Sequence, residues 1–378
     1  MNYMNKIMPG QTIGIIGGGQ LGRMMALAAK EAGFVIAVLD PGENSPCGQV
    51  ADIVIRAAFD DRDALKKLAE QSDVITYEFE NIDAEALTWL SDIAYLPQGA
   101  ELIRITQNRR LEKKMLEQAL VPIAPYQVIE HEQGIYDIIE SFGFPAIVKT
   151  ITGGYDGKGQ VKLNSIEDLQ EAQALVKEKG PCVLESFISF DKEISVIVHR
   201  NASGETTTLP IAENIHVNHI LHESIVPARI EPDVSEVAKK LALQIADEIK
   251  LIGTLAVEMF VSLSGEIWVN ELAPRPHNSG HYSIEACETS QFHQHIRAIC
   301  NWPLKSTALL KHAVMVNLLG QHVKPAFDAV SQYPDWSVHF YGKAEAKQNR
   351  KMGHITILTD DLEMTLKEMQ ESRIWKTT

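Results

Sequence analysis

The chain has 378 residues, of which 45% are hydrophobic and 22% are charged, the ordinary balance of a globular protein. Its 50 acidic residues outnumber its 35 basic residues and give a formal net charge of −15, so most of the surface repels polyanions and nucleic acid is not an expected partner. The length exceeds the size at which one hydrophobic core usually stops growing, which indicates two or three lobes.

The cysteines and the apolar segments indicate the compartment. Cys47, Cys182, Cys287 and Cys300 form no CxxC pair and are too sparse for a disulfide framework, which favours a reducing environment. No apolar run approaches the roughly 20 residues of a membrane span, and the N-terminus lacks the pattern of a signal peptide. We therefore expect a cytoplasmic protein without a membrane partner.

The N-terminal segment alternates short β-branched runs with amphipathic helical stretches. The predicted elements are a strand at Thr12–Ile16, a helix at Leu21–Ala32, a strand at Phe34–Leu39, a helix around Asp61–Gln71 and a strand at Val74–Tyr77. This alternation predicts βαβ units that share a parallel sheet.

A glycine-rich turn joins the first predicted strand to the first predicted helix. Gly17–Gly22 satisfies the GxGxxG pattern, and Asp40 follows the next strand. Glycines let the backbone approach an anion, and a helix N-terminus presents unpaired N–H groups to it. Three interpretations stay open at this point: NAD(P) binding, approach of another phosphate or substrate, and a tight turn without a ligand.

The rest of the chain mixes helices with antiparallel strands, which predicts an α+β region. Helices are predicted at Leu111–Ala119 and Glu132–Phe142, followed by a strand at Ala146–Lys149. Two strands between Val257 and Glu271 meet at the Ser264–Gly265 turn. The last predicted elements are strands at Ala313–Leu318 and Ile355–Leu358 and a closing helix around Leu362–Glu371.

A second glycine-rich loop, with the sequence GGYDGKGQ, follows Lys149 and spans 153–160. It is no Walker A motif, but a flexible loop with a lysine and free backbone N–H groups can close over the outer phosphates of a nucleotide. A strand-end lysine such as Lys149 can hold the inner phosphates. The alternative is a surface hairpin.

Two carboxylates, Glu258 and Glu271, flank the predicted Ser264–Gly265 turn, and Asn270 lies beside the second. Adjacent strands can direct both carboxylates at one cation, and oxygen ligands from two carboxylates and nucleotide phosphates are typical of Mg²⁺. The alternative is a structural salt bridge. The PRPHNSGH run at 274–281 then holds Arg, His and Asn on a loop stiffened by two prolines, which suits a preorganised anion site.

Three closely spaced histidines, His216, His219 and His222, invite a zinc interpretation. Their spacing matches no metal motif, and HExxH is absent from the sequence. An exposed or structural role for His219 and His222 is the expectation.

These motifs together resemble the ATP-grasp superfamily. Within it, YEFENI (77–82), TQNR (106–109), GGYDGKGQ and NELAPRPHNSGHY (270–282) are most similar to the 5-(carboxyamino)imidazole ribonucleotide synthetase family. The resemblance implies an α/β and α+β architecture. A Rossmann-like pre-ATP-grasp parallel-sheet domain would span 1–108, an ATP-grasp domain 109–304 with its lid around 122–190, and a small β-rich domain 305–378.

The resemblance also implies the cofactors and the residues that bind them. ATP would bind together with Mg²⁺, or Mn²⁺ in its place, and the metal ligands would be Glu258 and Glu271. Glu185–Ile188 would contact adenine and Glu193 the ribose. The residues implied at the ATP site are Arg109, Lys149, Gly154, Tyr155, Asp156, Gly157, Lys158, Gly159, Gln160, Glu185, Ser186, Phe187, Ile188, Glu193, His216, Asn270 and Glu271.

The implied reaction is the carboxylation of 5-aminoimidazole ribonucleotide. ATP would phosphorylate bicarbonate to carboxyphosphate, whose CO₂ forms a carbamate with the exocyclic amine. Arg275, His277 and Tyr155 would form the catalytic site. The resemblance further implies a homodimer.

A basic C-terminal segment, YGKAEAKQNRKMGH, predicts a phosphate clamp. Lys343, Arg350 and Lys351 would bind the 5′-phosphate of the ribonucleotide together with Gln20 and Leu21. A solvated basic turn is the alternative. Glu80 and Asn278 would hold the ribose or the amine end of the substrate.

Alternative functions are distinguished by specific residues. An NAD-dependent dehydrogenase would leave Glu258 and Glu271 unexplained, and a non-catalytic nucleotide sensor would be expected to lose them or Arg275. The related formate-dependent glycinamide ribonucleotide transformylases share the GxGxxG and PRPH elements, but they typically have serines at the positions of Tyr155 and Asp156.

Overall fold

The computed structural model describes residues 6–154 and 159–375. Its N-terminal part is a parallel sheet in the order β3-β2-β1-β4 with helices on its faces. The elements are β1 (Thr12–Ile16), α1 (Gln20–Glu31), β2 (Val35–Leu39), β3 (Ile53–Ile55), α2 (Arg62–Glu70), β4 (Val74–Tyr77), α3 (Ala84–Ile93) and α4 (Glu101–Thr106). Asp61 and Asp83 cap α2 and α3 by accepting hydrogen bonds from backbone N–H groups of the first helical turn.

A separate antiparallel sheet, in the order β5-β8-β6-β7, follows helix α5. The elements here are α5 (Arg109–Gln118), β5 (Tyr126–Ile129), α6 (Gly134–Phe142), β6 (Ala146–Thr150), β7 (Gln160–Leu163), α7 (Leu169–Lys179) and β8 (Cys182–Ser186). Apolar side chains of α6 and α7, among them Ile139 and Val176, pack against Val148 and Leu163 of this sheet. The sheet therefore carries its own small core.

The largest sheet runs β14-β13-β9-β11-β12-β15-β17-β16, with β10 paired to β9. Its elements are β9 (Lys192–Arg200), β10 (Thr206–Thr208), β11 (Ala212–Val217), β12 (Ile220–Val226), α8 (Pro232–Glu248), β13 (Gly253–Val261), β14 (Ile267–Ala273), α9 (Ser283–Ala286), α10 (Gln291–Ile299), β15 (His312–Leu319), α11 (Val323–Ala329), β16 (Trp336–Phe340), β17 (Lys351–Thr359) and α12 (Leu362–Ser372).

This sheet continues through the boundary predicted at 304/305. β15 pairs antiparallel with β12, so backbone hydrogen bonds join the C-terminal strands to the central ones. The N-terminal lobe is attached through α1, which packs against α10 in a core that includes Phe292 and Ile296. The fold class predicted from the sequence is confirmed, and the domain boundaries stay predictions.

Within the part of the chain that the structure describes, no helix is both long and apolar enough to cross a membrane.

Candidate active site

The centre of the candidate site is a pair of carboxylates on the β13–β14 hairpin. Glu258 and Glu271 are direct cross-strand partners, and the pairing shifts register immediately after Glu258. Burial and the neighbouring charge of Glu271 raise the pKa of Glu258 to about 8. Arg109 lies 3.8 Å from Glu271, and the charge of Lys351 acts on Glu258, so the pair is only partly compensated. Two adjacent carboxylate side chains offer the oxygen ligands that a divalent cation prefers.

His277 lies beside this pair. Its Nε2 is 3.4 Å from Oε1 of Glu258. Gln291 holds the histidine's backbone at both ends, accepting a hydrogen bond from its N–H and donating one to its carbonyl, each at 2.8 Å. A Cβ at Gly280 would lie 2.3 Å from Ile197, so glycine lets this loop rest on β9. Burial, together with the charge of Arg275, holds the pKa of His277 well below its usual value, so the imidazole is neutral.

Arg275 pairs with Glu80 of the N-terminal lobe. Its guanidinium donates two hydrogen bonds to the carboxylate, one from Nη2 at 2.9 Å and one from Nε. Burial opposes ionisation of Glu80, but Arg275 outweighs it and keeps the pKa of Glu80 below its ordinary value. The predicted catalytic arginine and the predicted substrate carboxylate are therefore in direct contact across two lobes.

Part of the predicted nucleotide site is an open cleft of about 560 Å³. Glu193 and His216 line it and contact each other through a carboxylate oxygen and Nδ1. Arg109 begins helix α5, which Asn108 caps, and its Nη1 lies 3.8 Å from Oε2 of Glu271. Asn270 lines a small adjoining cavity with Glu258. The structure therefore brings Glu193, His216, Glu258 and Asn270 together around this small cavity.

The adenine segment predicted at Glu185–Ile188 consists of the last two residues of β8 and the two residues that follow it. The N–H groups of Ser186 and Phe187 donate to the carbonyls of Pro125 and Pro145. No hydrogen bond to the N–H of Ile188 is found among the described residues, which leaves that group for a base edge.

A buried lysine, Lys113, was missed by the sequence analysis. The Glu185 carboxylate accepts a hydrogen bond from Lys149 at 2.9 Å and lies 3.4 Å from Nζ of Lys113. Burial lowers the pKa of Lys113, and the charge of Glu185 opposes that change. The helical period could have revealed this residue, because Lys113 lies three positions before the buried Leu116 on α5.

The described part of the GGYDGKGQ loop has the geometry of a hairpin. Lys149 is the register partner of Gln160, and Gly153 and Gly159 adopt positive φ angles of 78° and 71°. Gly154 ends the described part of the loop on one side. The predicted loop residues Tyr155, Asp156, Gly157 and Lys158 lie outside the described residues.

The N-terminal glycine loop is bound by the protein's own carboxylates. Gly22 donates its N–H to Glu78 at 2.6 Å, Gly19 also donates to Glu78, and Gly18 donates to Asp40 at 2.7 Å. The N–H groups that would hold a dinucleotide pyrophosphate are therefore occupied, which argues against NAD(P). Among the described residues, no hydrogen bond involves the N–H of Gln20 or Leu21, the two positions predicted to contact substrate.

The basic C-terminal residues lie where this lobe meets the N-terminal one. Gln49 donates to the carbonyl of Gly342 at 2.7 Å and accepts a hydrogen bond from Arg23 at 3.0 Å. Burial, followed by the charge of Arg350, lowers the pKa of Lys343 to about 8, while the nearby Glu78 opposes the change.

Lys351 acts electrostatically on the carboxylates, and Asn278 contacts β15. The charge of Lys351 favours the ionised forms of Glu80 and Glu258, and it also acts on the neighbouring Lys343. Asn278 exchanges two side-chain hydrogen bonds with Asn317 of β15, at 3.0 and 2.7 Å.

Among the described residues, no cluster of three or more His, Cys, Asp and Glu side chains has a metal-binding arrangement. His219 is exposed in the turn between β11 and β12, as expected.

Sequence models of three protein families match the chain. The Ribonucleotide synthetase preATP-grasp domain matches residues 10–107, the ATP-grasp domain matches 114–292, and the Phosphoribosylaminoimidazole carboxylase C-terminal domain matches 313–368.

Individual relatives are similar over nearly the whole chain. The N5-carboxyaminoimidazole ribonucleotide synthase of Bacillus subtilis is 54% identical over 352 residues, which cover 93% of this chain and 92% of the relative. A crystal structure of the Staphylococcus aureus synthetase complexed with ADP has 46% identity and a TM-score of 0.94, with 98% of each chain covered.

A more distant structure carries the ribonucleotide. The synthase of Aspergillus clavatus in complex with ADP and 5-aminoimidazole ribonucleotide has 30% identity and a TM-score of 0.89, covering 96% of this chain and 97% of that one. This chain therefore belongs to the N5-carboxyaminoimidazole ribonucleotide synthase family of ATP-grasp ligases.

Proposed function

We propose that the chain uses ATP and bicarbonate to carboxylate 5-aminoimidazole ribonucleotide, releasing ADP and phosphate, as a step of purine biosynthesis. The observation that carries the proposal is the Glu258–Glu271 pair with His277 at 3.4 Å from Glu258, beside the Arg275–Glu80 pair. This arrangement collects cation ligands and anion-binding groups at one point. It suits a reaction in which negative charge moves between phosphate and carboxylate oxygens.

The carboxylate pair and the cations divide the work of phosphoryl transfer. Glu258 and Glu271 would bind Mg²⁺, or Mn²⁺ in its place. The bound cation would neutralise part of the negative charge of the phosphates. Lys149 and Arg109 would bind ATP phosphates, with loop residues 154–160 closing over them. Glu193, His216 and the Glu185–Ile188 segment would hold the nucleoside.

Bicarbonate would be activated next to Arg275 and His277. Arg275 offers a fixed positive charge, and a neutral His277 offers a hydrogen bond without adding charge. Tyr155 would approach from the closing loop. Carboxyphosphate formed here would release CO₂ beside the amine of the ribonucleotide, and phosphate and ADP would leave.

The ribonucleotide would bind between the N- and C-terminal lobes. The N–H groups of Gln20 and Leu21, together with Lys343, Arg350 and Lys351, would surround its 5′-phosphate. Glu80 and Asn278 would bind the ribose or the amine. The homodimer and the cytoplasmic location implied by the family are part of the proposal, and sedimentation equilibrium tests the first.

The test is ADP release from the purified chain with ATP and Mg²⁺. We expect release to require both bicarbonate and 5-aminoimidazole ribonucleotide. NADH absorbance is followed in parallel to test the dehydrogenase alternative. Formate with glycinamide ribonucleotide is assayed as a second substrate pair to test the transformylase alternative. Release with formate and glycinamide ribonucleotide alone would instead assign the transformylase reaction, and release without any ribonucleotide would contradict a ligase.

A further inference from the structure

The hydrogen bonds at Nδ1 of His277 show which nitrogen of the imidazole carries the proton. Nδ1 accepts a hydrogen bond from the backbone N–H of Ser279 at 3.3 Å and lies 2.8 Å from the hydroxyl of the same serine. A backbone N–H can only donate, so Nδ1 carries no proton. In the neutral ring the proton is therefore on Nε2, the atom that faces Glu258.

A chain of side chains continues from this nitrogen into the sheet. The Ser279 hydroxyl is 2.7 Å from that of Ser195, which is 3.0 Å from Nδ2 of Asn214. Oδ1 of Asn214 is 2.9 Å from the hydroxyl of Ser224. All four residues are at most 5% exposed, so water does not compete for these bonds.

The direction of every bond in the chain follows from the first. Because Nδ1 lacks a proton, the Ser279 hydroxyl must donate to it, and this serine can then only accept from Ser195. Ser195 in turn has used its proton and must accept from Asn214. Only the amide NH₂ can donate there, which fixes the amide orientation and leaves Oδ1 to accept from Ser224.

We propose that Asn214 is a positioning residue that fixes the Ser279 hydroxyl as a donor to Nδ1 and so, together with the backbone N–H of Ser279, keeps His277 in the Nε2–H tautomer, in which the histidine serves as a hydrogen-bond donor in the reaction. The inference rests on the proposed function for the identity of the acceptor, an oxygen of bicarbonate or carboxyphosphate. Such a donor stabilises developing negative charge, whereas the opposite tautomer would present a lone pair to the same oxygen. Asn214 acts through two serines and does not touch that oxygen.

The first test reads the tautomer without any reaction. Enzyme labelled with ¹⁵N-histidine is examined by NMR at one pH and without substrate, and the His277 signals are those lost in His277→Asn. We expect the Nε2–H pattern. A dominant Nδ1–H pattern overturns the proposal, and because no turnover is involved, this result is independent of whether the proposed function holds.

The second test reverses the chain with an isosteric change. In Asn214→Asp the ionised aspartate can only accept, so Ser195 must turn its proton toward residue 214 and no longer donates to Ser279. We expect the Nδ1–H pattern to gain population and kcat to fall by about tenfold or more, while KM for the ribonucleotide stays within about twofold. If this variant does not fold, Ser195→Ala, which also cuts the route from Asn214 to Ser279, is examined for the same gain of the Nδ1–H pattern, and an unchanged pattern there overturns the proposal.

Two further variants separate this effect from a general loss of packing. Asn301→Asp places the same charge at another buried asparagine, one whose Oδ1 acts as an acceptor for Ser203, and we expect its kcat to be unchanged. In a Ser195→Ala background the Asn214→Asp change has no route to Ser279, so it should lower kcat no further. An equal loss in both backgrounds, or an unchanged histidine spectrum in Asn214→Asp, overturns the proposal.

Discussion

Glu258 and Glu271 of the β13–β14 hairpin are the side chains predicted to bind the cation. We predict that Glu271→Gln folds normally but loses Mg²⁺-dependent ADP release, because one carboxylate cannot replace the cross-strand pair. The measurement is turnover against Mg²⁺ concentration. Glu266→Gln, in the turn of the same hairpin, is the matched control and should behave like wild type. Full activity of Glu271→Gln at low Mg²⁺ would end the metal assignment.

The charge of Lys343 gives substrate binding a pH dependence. Burial, followed by Arg350, lowers the pKa of this lysine to about 8, so its positive charge is present below that pH and is lost above it. If Lys343 binds the 5′-phosphate, KM for the ribonucleotide should rise by about tenfold as the pH passes through 8. Lys343→Arg keeps its charge at these pH values and should remove most of this rise. An identical pH profile for both proteins would exclude Lys343 from the phosphate site.

At the scale of elements, the backbone N–H groups at the N-terminus of α1 are hydrogen-bonded by the carboxylate of Glu78, the residue that directly follows β4. Glu78 accepts hydrogen bonds from the N–H groups of Gly19 and Gly22, so Glu78→Ala leaves two donors of the helix N-terminus unsatisfied. We expect a loss of about 2–3 kcal/mol in the free energy of unfolding. Urea denaturation followed by circular dichroism measures it, and the exposed Glu43→Ala is the control. Equal stabilities would mean that water replaces the carboxylate.

Local periodicity predicted many of these elements from the sequence. β1 and β4 have the predicted bounds, and the β13–β14 hairpin turns where the Ser264–Gly265 pair indicated. The longest helix, α8, was not predicted, although Pro232 begins it and Ala238, Ala242 and Ile245 form its buried stripe. The pairing of β15 with β12 was not predicted either, because strand partners distant in sequence leave no local signal.

Some contacts of the candidate site were predicted from the sequence, and others were not. Motif spacing brought Glu258 and Glu271 together correctly, since hairpin strands are adjacent by construction. The contacts of Glu78 with the glycine loop and of Lys113 with Glu185 were missed, because each joins side chains from elements that only the tertiary fold brings together.

At the scale of the whole molecule, the Arg275–Glu80 pair joins the ATP-grasp part to the N-terminal lobe. We predict that Arg275→Ala still binds ATP but fails to carboxylate, since bicarbonate loses its fixed positive partner. The variant also leaves Glu80 without its guanidinium partner, so a moderate rise in KM for the ribonucleotide is expected. Arg275→Lys restores charge without the bidentate geometry and should recover little activity. Carboxylation at the wild-type rate in Arg275→Ala would contradict the assignment.

The contact between the N- and C-terminal lobes is where we predict that the 5′-phosphate of the substrate binds. Arg350 lies in the C-terminal segment whose Gly342 carbonyl accepts a hydrogen bond from Gln49, and its charge acts on the half-buried Lys343. Arg350→Ala should therefore raise KM for the ribonucleotide at least tenfold, about 1.4 kcal/mol of lost binding, while ATP affinity is unchanged.

The control variant is measured in the same enzyme assay, and the binding of nucleoside and ribonucleotide is compared by calorimetry. Lys347→Ala removes a positive charge from an exposed position of this segment, where the lysine pairs with Glu345, and should leave KM unchanged. The dephosphorylated nucleoside should bind wild type much more weakly than the ribonucleotide, because it offers nothing to Arg350, Lys343 or the N–H groups of Gln20 and Leu21. Equal binding of nucleoside and ribonucleotide would mean that these lobes meet for a structural reason and recognise no phosphate.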